Sequence, residues 1–427
     1  MRFKKLWWGV TAGVTAVAVA AVAGVGVLTQ QRYADLEHAP AYAVERPEPK
    51  IVPAGAEDGV DNAALAAELT RLAADPALGT LHGQVTDTVT GEVVWSESPD
   101  EPLLPASSTK ILTAAAAMLE LDPVHRLTTE VVAGDVPGSV VIRASGDVWL
   151  TEEQIDDLAE QVGQADTVFI DTSVWSGPAL MEGWDAADID GGYVAPMEPA
   201  MLHGARIGAT EGDVPRSHTP ALDVAQALAD RVGADTVGEG SAPPGAEVLA
   251  STESEVLAER VEDMMVWSDN VMAEAIGREI AIHRGHEPSA EGATTATLEV
   301  LAEHGFDTTG VTLNDNSGLS TGNRIPPRLL DDILHTAATA EGEELRPILA
   351  ALPVAGGTGT LMDRYQDMSG RGWVRAKTGT LTGTSALAGV VTADSGRVYS
   401  FGLLSNDSAI LPARAALDNF ASTIRES

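Results

Sequence analysis

Three short stretches of the chain carry side chains suited to acyl transfer. The first is PASSTK at residues 105–110, directly before the apolar run ILTAAAAMLE. Ser107 and Lys110 are three apart, so a helix starting at Ser107 would put both on one face of its first turn. A serine hydroxyl is a weak nucleophile until a base takes its proton. A lysine can be that base only if burial or a neighbouring cation lowers its pKa. The second stretch is SDN at 268–270, where Ser268 offers a hydroxyl for proton relay and Asn270 an amide for holding substrate backbone. The third is KTGT at 377–380. There Lys377 can dock a carboxylate and depress the pKa of another lysine, and Thr378 can bond the same carboxylate. Gly379 lets substrate backbone approach closely. The Thr380 amide, paired with that of Ser107, would make an oxyanion hole.

Each stretch alone has a plainer reading. Ser and Thr before an apolar run are ordinary helix caps, SDN suits a polar helix face, and KTG suits a turn. Lysine usage argues for chemistry. Lysine occurs only at 4, 5, 50, 110 and 377, so beyond residue 50 both lysines fall inside these stretches. A chain that otherwise uses Arg keeps Lys where a titratable amine or a compact cation is needed.

The elements that must position these groups can be read from patterning. Residues 62–76 have helical spacing, and LHGQVTDTVTGEVVWS (81–96) reads as two strands with a turn at Thr90-Gly91. A helix succeeds PASSTK and runs to about 120. From about 126 to 250 short strand-like pieces alternate with Gly, Pro and Asp, which marks a β-rich unit. Residues 254–283 read as one long helical stretch holding SDN, and a further helix is expected at about 290–304. The tail reads as antiparallel strands with a turn at Ser395-Gly396 and a closing helix at 413–424. The expected class is α+β, with one domain (61–125 and 251–427) split by an insertion (126–250).

The N-terminus begins with the basic MRFKK and continues as an uncharged run over 6–28, long enough to cross a bilayer as a helix. It is expected to be a membrane anchor or a cleaved signal, placing the remainder of the chain outside the cytoplasm. Residues 29–60, rich in Pro, Glu and Ala, read as an extended linker. The 427-residue chain has a net charge of −37, which argues against nucleic acid as a partner. No cysteine is present, which excludes thiolate catalysis and Cys-ligated zinc. GGTG (356–359) lacks the Gly-Lys of a phosphate loop, and DAADIDGG (185–192) lacks calcium-loop spacing. His283 and His286 belong to no zinc motif. Neither a metal nor a cofactor is expected.

S-x-x-K, S-x-N and K-T-G, in this order, form a signature of penicillin-binding proteins and serine β-lactamases. The chain resembles the class C, low-molecular-mass penicillin-binding proteins, which are D-alanyl-D-alanine carboxypeptidases and endopeptidases. The resemblance extends to APMEPAMLHGARI (195–207), DNSGLSTGNRIPP (315–327) and LPVAGGTGTLMDR (352–364), and covers roughly 62–424. It implies the penicilloyl-serine transferase fold, with a helical part and a five-stranded antiparallel sheet flanking the site. It also implies Ser107 as acyl-accepting nucleophile, Lys110 as base, Ser268 and Asn270 as proton shuttle and substrate clamp, and Lys377 and Thr378 as carboxylate site. The partners implied are a peptidoglycan stem peptide ending in D-Ala-D-Ala and β-lactam antibiotics. Asp171, in IDTSVW, is similarly placed to meet a free amine on the substrate, although a turn residue at a strand end is an equal reading. Asn316 stands where the family has Gly, and tolerance of Asn for left-handed backbone would preserve the turn. The insertion is shorter than in the larger relatives. Two rival functions share the motifs: a serine β-lactamase, and an inactive wall-binding protein.

Overall fold

The computed structural model describes residues 23–25, 27–29, 61–340 and 342–427. Most of the expected anchor, and all but the first position of the linker region, lie outside the described residues. Among the described residues no helix is long and apolar enough to cross a membrane. Residues 61–427 begin with α1 (Asn62–Ala73), β1 (Thr80–Asp87), β2 (Val93–Glu97), a 3-10 turn (Ala106–Thr109) and α2 (Lys110–Glu120). Next come β3 (Thr128–Ala133), β4 (Ser139–Arg143), β5 (Asp147–Leu150), α3 (Glu152–Val162), β6 (Thr167–Asp171), α4 (Ala187–Asp190), β7 (Ala200–Leu202), α5 (Pro220–Val232), β8 (Thr236–Glu239) and β9 (Val248–Glu253). The chain closes with α6 (Leu257–Trp267), α7 (Asn270–Arg284), α8 (Ala290–Glu303), α9 (Pro327–Ala338), α10 (Arg346–Ala351), β10 (Val374–Leu381), β11 (Thr384–Thr392), β12 (Val398–Asn406) and α11 (Ile410–Arg425).

Both ends of this region build one five-stranded antiparallel sheet, ordered β10-β11-β12-β1-β2. One face packs under α1 and α11 through Leu65, Leu69, Leu417, Phe420 and Ile424. Residues of the other face, among them Ala386, Ala388 and Leu404, join the helical core of α2 and α6–α9. Helix α2 is buried from Lys110 to Met118. Its run of alanines follows from that position: a helix enclosed on every side has no polar face, and small side chains let its neighbours approach closely.

The segment from 126 to 250 holds more than strands. Its sheet, ordered β8-β6-β4-β3-β9, is antiparallel at β3-β4 and β3-β9 and parallel at β4-β6 and β6-β8. Parallel neighbours need long crossovers, and α3 and α5 lie in those connections. Both helices bury an apolar stripe against this sheet, with Ile155, Leu158, Val224 and Leu228 in its core. Their start signals are visible in the chain. Thr151 and Gln154 form a reciprocal capping box, and Pro220 opens α5, with Gly233 in left-handed geometry just past its end.

The expected single helix over 254–283 is two helices. Ser268 adopts φ 61° and ψ 32° between α6 and α7, and the Asp269 side chain caps α7 by accepting from the Met272 amide. A non-Gly residue in the left-handed region is strained. Ion pairs from Asp269 to Arg206 and Arg216 hold this break in place.

Candidate active site

The 3-10 turn over Ala106–Thr109 presents Ser107, and Lys110 begins α2 directly after it. Lys110 Nζ donates to Ser107 Oγ at 3.2 Å, to Asn270 Oδ1 at 2.7 Å and to the Ser317 carbonyl at 2.7 Å. Lys377 Nζ donates to Ser268 Oγ at 2.7 Å and to the Thr378 carbonyl at 3.0 Å. Both lysine side chains are fully buried, whereas Ser107, Ser268, Asn270, Thr378 and Thr380 line a cleft of about 290 Å³. The three stretches, 270 residues apart at their extremes, thus meet in one place. Ser108, the other serine of PASSTK, is buried and donates to the Pro105 carbonyl at 2.7 Å.

Two glycines let the nucleophile turn sit where it does. A Cβ on Gly379 would come within 2.6 Å of the Pro105 carbonyl oxygen and 3.1 Å of the Ala106 Cβ. The turn carrying Ser107 thus approaches Gly379 closely. From the other side Gly318, at φ 86°, would place a Cβ 1.9 Å from the Ala106 carbonyl oxygen. Ala106 itself is held at φ 48°. Gly379→Ala is expected to push Ser107 away from Lys110 and slow acylation by a β-lactam strongly, which timed intact-mass spectra would read; wild-type acylation would remove this account of the turn.

The 314–323 loop is wound around buried Asp315. Its Oδ1 accepts from the Gly318 amide and Asn323 Nδ2, and its Oδ2 from the Ser320 amide and Trp184 Nε1. Asn316 does not adopt left-handed backbone; Gly318 does. Asn316 instead accepts from Thr297 Oγ1 at 2.8 Å, and Gly277 of α7 makes room for it, since a Cβ there would lie 2.4 Å from Asn316 Nδ2. Buried Glu274 accepts from the Asn316 and Ser317 amides at 2.9 and 2.8 Å, which orients the Ser317 carbonyl that receives Lys110.

Electrostatics follow from burial. Desolvation pulls Lys110 down to about 8, although Asp315, Asp269 and Glu274 favour its charged form. Lys377 is pushed well below the ordinary lysine value by burial and by the charge of Lys110. Burial, then repulsion from Asp315, raises Glu274 to about 8. A lysine near 8 supplies neutral amine close to neutral pH, as a general base must. Glu274→Gln keeps an acceptor for the two amides and removes a carboxyl that, as it ionises near pH 8, favours protonated Lys110. The pH at which acylation reaches half its maximum is expected to move below the wild-type value; an unmoved profile would leave Glu274 with a structural role alone.

Among the charged residues of the site that the sequence did not single out, three pair with one another. Asp269 Oδ2 accepts from Arg206 Nη2 at 2.6 Å and Arg216 Nη2 at 2.7 Å, and all three side chains are buried. Burial opposes ionisation of Asp269, but Arg216 and Arg206 outweigh it and hold the carboxyl well below its usual range. The clamp fixes the segment between Ser268 and Asn270. Asn270 Nδ2 also donates to the Tyr193 carbonyl at 3.0 Å. A signal existed in HGARI, the arginine-bearing part of 203–207, but no spacing rule ties it to residue 269.

The sequence profile of the D-Ala-D-Ala carboxypeptidase 3 (S13) family matches residues 65–222 and 205–424. The chain is 42% identical to carboxypeptidase DacB of Mycolicibacterium smegmatis, over 96% of this chain and 95% of that one. The chain belongs to the D-Ala-D-Ala carboxypeptidase 3 (S13) family. It is also 30% identical to a D-alanyl-D-alanine carboxypeptidase of Actinomadura sp., over 78% of this chain and 79% of that one. Penicillin binding protein 4 of Haemophilus influenzae shares the mixed α/β fold, with a TM-score of 0.71 and 22% identity over 84% of this chain and 97% of that one.

In this S13 chain Asp171 stands apart from the cleft. It ends β6, accepts from the Ser173 amide at 3.0 Å and the Ala242 amide at 2.7 Å, and is not among the cleft residues. Its carboxylate bonds the backbone of two loops. Among the described residues no cluster of His, Asp or Glu is arranged to hold a metal ion.

Proposed function

We propose that this S13 protein is a serine-type D-Ala-D-Ala carboxypeptidase acting on peptidoglycan stem peptides through an acyl-enzyme on Ser107. The observation that carries the reading is the contact of buried Lys110 with Ser107 Oγ and Asn270 at the floor of the cleft. Neutral Lys110 takes the Ser107 hydroxyl proton as Oγ bonds to the penultimate D-Ala carbonyl carbon. The Ser107 and Thr380 amides face the oxyanion. The C–N bond breaks, and the proton reaches the departing amine through Ser268, which is bonded to Lys377. Water then cleaves the ester and frees Ser107. Thr378 and Lys377 flank the substrate carboxylate, and Asn270 holds the peptide. The same serine opens β-lactam rings.

Residues 126–250 are read as a unit inserted between 61–125 and 251–427, and residues 1–28 as the signal or anchor that delivers the enzyme to the cell envelope. Endopeptidase work on cross-linked stems is a secondary activity of the same site.

The test is timed intact mass after benzylpenicillin, on wild type and Ser107→Ala, beside release of D-Ala from a D-Ala-D-Ala peptide. A lasting adduct on wild type alone, with D-Ala release, supports the reading. Rapid drug turnover without D-Ala release would mean a β-lactamase, and no adduct on folded protein would mean an inactive wall-binding protein.

A further inference from the structure

We propose that Arg278, buried behind the cleft on α7, is a positioning residue that sets the pH at which Lys110 becomes a base, by acting on Glu274 rather than on Lys110 itself. The proposal rests on the acyl-enzyme reading of Ser107.

Arg278 lies one helical turn after Glu274, and both side chains are buried, 1% and 0% exposed. Neither lines the cleft. Arg278 is sparsely bonded for a buried cation. Its Nη1 donates to the Glu274 carbonyl at 3.2 Å, its Nη2 donates to the Met181 sulfur at 3.8 Å, and its guanidinium lies 5.2 Å from the centre of the Trp175 ring. Its Nε has no hydrogen-bond partner. Burial disfavours its charge and Glu274 favours it, and a guanidinium keeps its proton in either case. The two oxygens of Glu274 are used differently. Oε1 accepts from the Asn316 and Ser317 amides. Oε2 is buried with no hydrogen-bond partner, and Arg278 Nη1 stands 3.7 Å from it. That gap is too long for a hydrogen bond, but across it two charges still interact strongly in a buried setting. Whether Oε2 carries a proton is therefore decided by the charges that face it.

Asp315, from the 314–323 loop, opposes ionisation of Glu274, and Arg278 favours it. Lys110 of α2 is held in its charged form by Glu274 together with Asp315 and Asp269, and Lys377 of β10 feels the Lys110 charge. Helix α8, packed on α7, presents the Thr297 hydroxyl to Asn316, and the segment between β6 and α4 presents Trp175 and Met181. None of these three titrates. Removing Arg278 would thus act on Lys110 in two opposite senses. Through Glu274, loss of the cation keeps the carboxyl neutral to higher pH, takes an anion away from Lys110, and lets the amine lose its proton at lower pH. Acting directly, loss of a cation would favour the ammonium and move deprotonation to higher pH. The sign of the shift tells which route operates.

The experiment follows acylation by benzylpenicillin against pH, by timed intact mass on the full chain, for wild type, Arg278→Met, Arg278→Lys, and Arg278→Met combined with Glu274→Gln. Arg278→Met is expected to lower the pH of half-maximal acylation by about 0.5–1 unit, part of the shift that a close charge exerts. Arg278→Lys, which keeps the cation, should restore the wild-type midpoint. In the Glu274→Gln background the Met substitution should lower the midpoint no further. Melting curves establish folding; should Arg278→Met fail to fold, Arg278→Gln, neutral and still able to donate to the Glu274 carbonyl, takes its place. A midpoint that stays put or rises in Arg278→Met overturns the proposal. So does a downward shift of equal size in the Glu274→Gln background, which would mean that Glu274 does not carry the effect. Absence of any adduct on wild type would instead remove the acyl-enzyme reading on which the proposal depends.

Discussion

Lys110→Met is expected to cut the rate of acylation by benzylpenicillin by about 10²- to 10⁴-fold, the range of a lost general base, while the protein still folds. Among the described residues Lys110 is the one amine in contact with Ser107 Oγ, and without it the hydroxyl proton has no such acceptor of suitable pKa. Lys377 is bonded to Ser268 and cannot replace it without movement. Folding survives because two effects oppose. The substitution leaves Asn270 Oδ1 and the Ser317 carbonyl without a donor, at a cost of about 1–3 kcal/mol each. It also removes a buried ammonium, whose desolvation is unfavourable, and puts an unbranched side chain of similar length in its place. Rates from intact mass and the melting temperature separate the two consequences. Acylation at the wild-type rate would place the base elsewhere. In wild type, acylation should climb as pH rises toward and through about 8, because Lys110 works in its neutral form.

Asp269→Asn is expected to cost about 3–5 kcal/mol of stability, as breaking a buried ion pair does. Asparagine is as good a helix cap as aspartate, so the Met272 amide keeps its acceptor and the loss isolates the charge. Arg206 and Arg216, with side chains 6% and 2% exposed, would then be two buried cations without an anion. Ser268 and Asn270 flank residue 269, so acylation should fall together with the melting temperature. The pH dependence has a definite sign. The Asp269 carboxyl titrates below its unfolded value. Its contribution is therefore complete above the ordinary aspartate range, near pH 4, and is lost only as pH falls through the lower folded value. Wild type and variant should differ fully at neutral pH and converge in strong acid. Equal urea midpoints at pH 7 would show that the two arginines find other partners.

The proposed chemistry was visible because it is written in short, ordered stretches, two of which hold the scarce lysines. Ser107 with Lys110, Ser268 with Asn270, and Lys377 with Thr378 and Thr380 each keep their spacing locally. The two lysines beyond residue 50 mark the positions where an amine is needed. Strands β1 and β2 and helices α1, α8 and α11 were legible for a related reason, since apolar periodicity and turn residues are local properties of the chain. Helices α3 and α5 carried local signals too, a capping box and a Pro-to-Gly frame, inside a region dominated by strand-like pieces.

Other features became visible only with the tertiary structure. The only local mark of a break in the 254–283 helix is the Asp269 cap of α7. The break exists because Asp269 reaches two arginines 53 and 63 residues earlier in the chain. The role of Gly379 depends on a turn some 270 residues away, that of Asn316 on Gly277 of another helix, and the placing of Asp171 on a loop at Ala242. Arg414 reads in sequence as one more cation on an amphipathic helix. That among the described residues it forms no ion pair with an acid appears only once Asp418 is seen to belong to Arg364. Sequence by itself singled out the groups proposed to carry the chemistry, because those are properties of residue type and short spacing. The tertiary structure decided which of them meet, which are buried and which charges stay unpaired, because desolvation and ion pairing depend on distance in space.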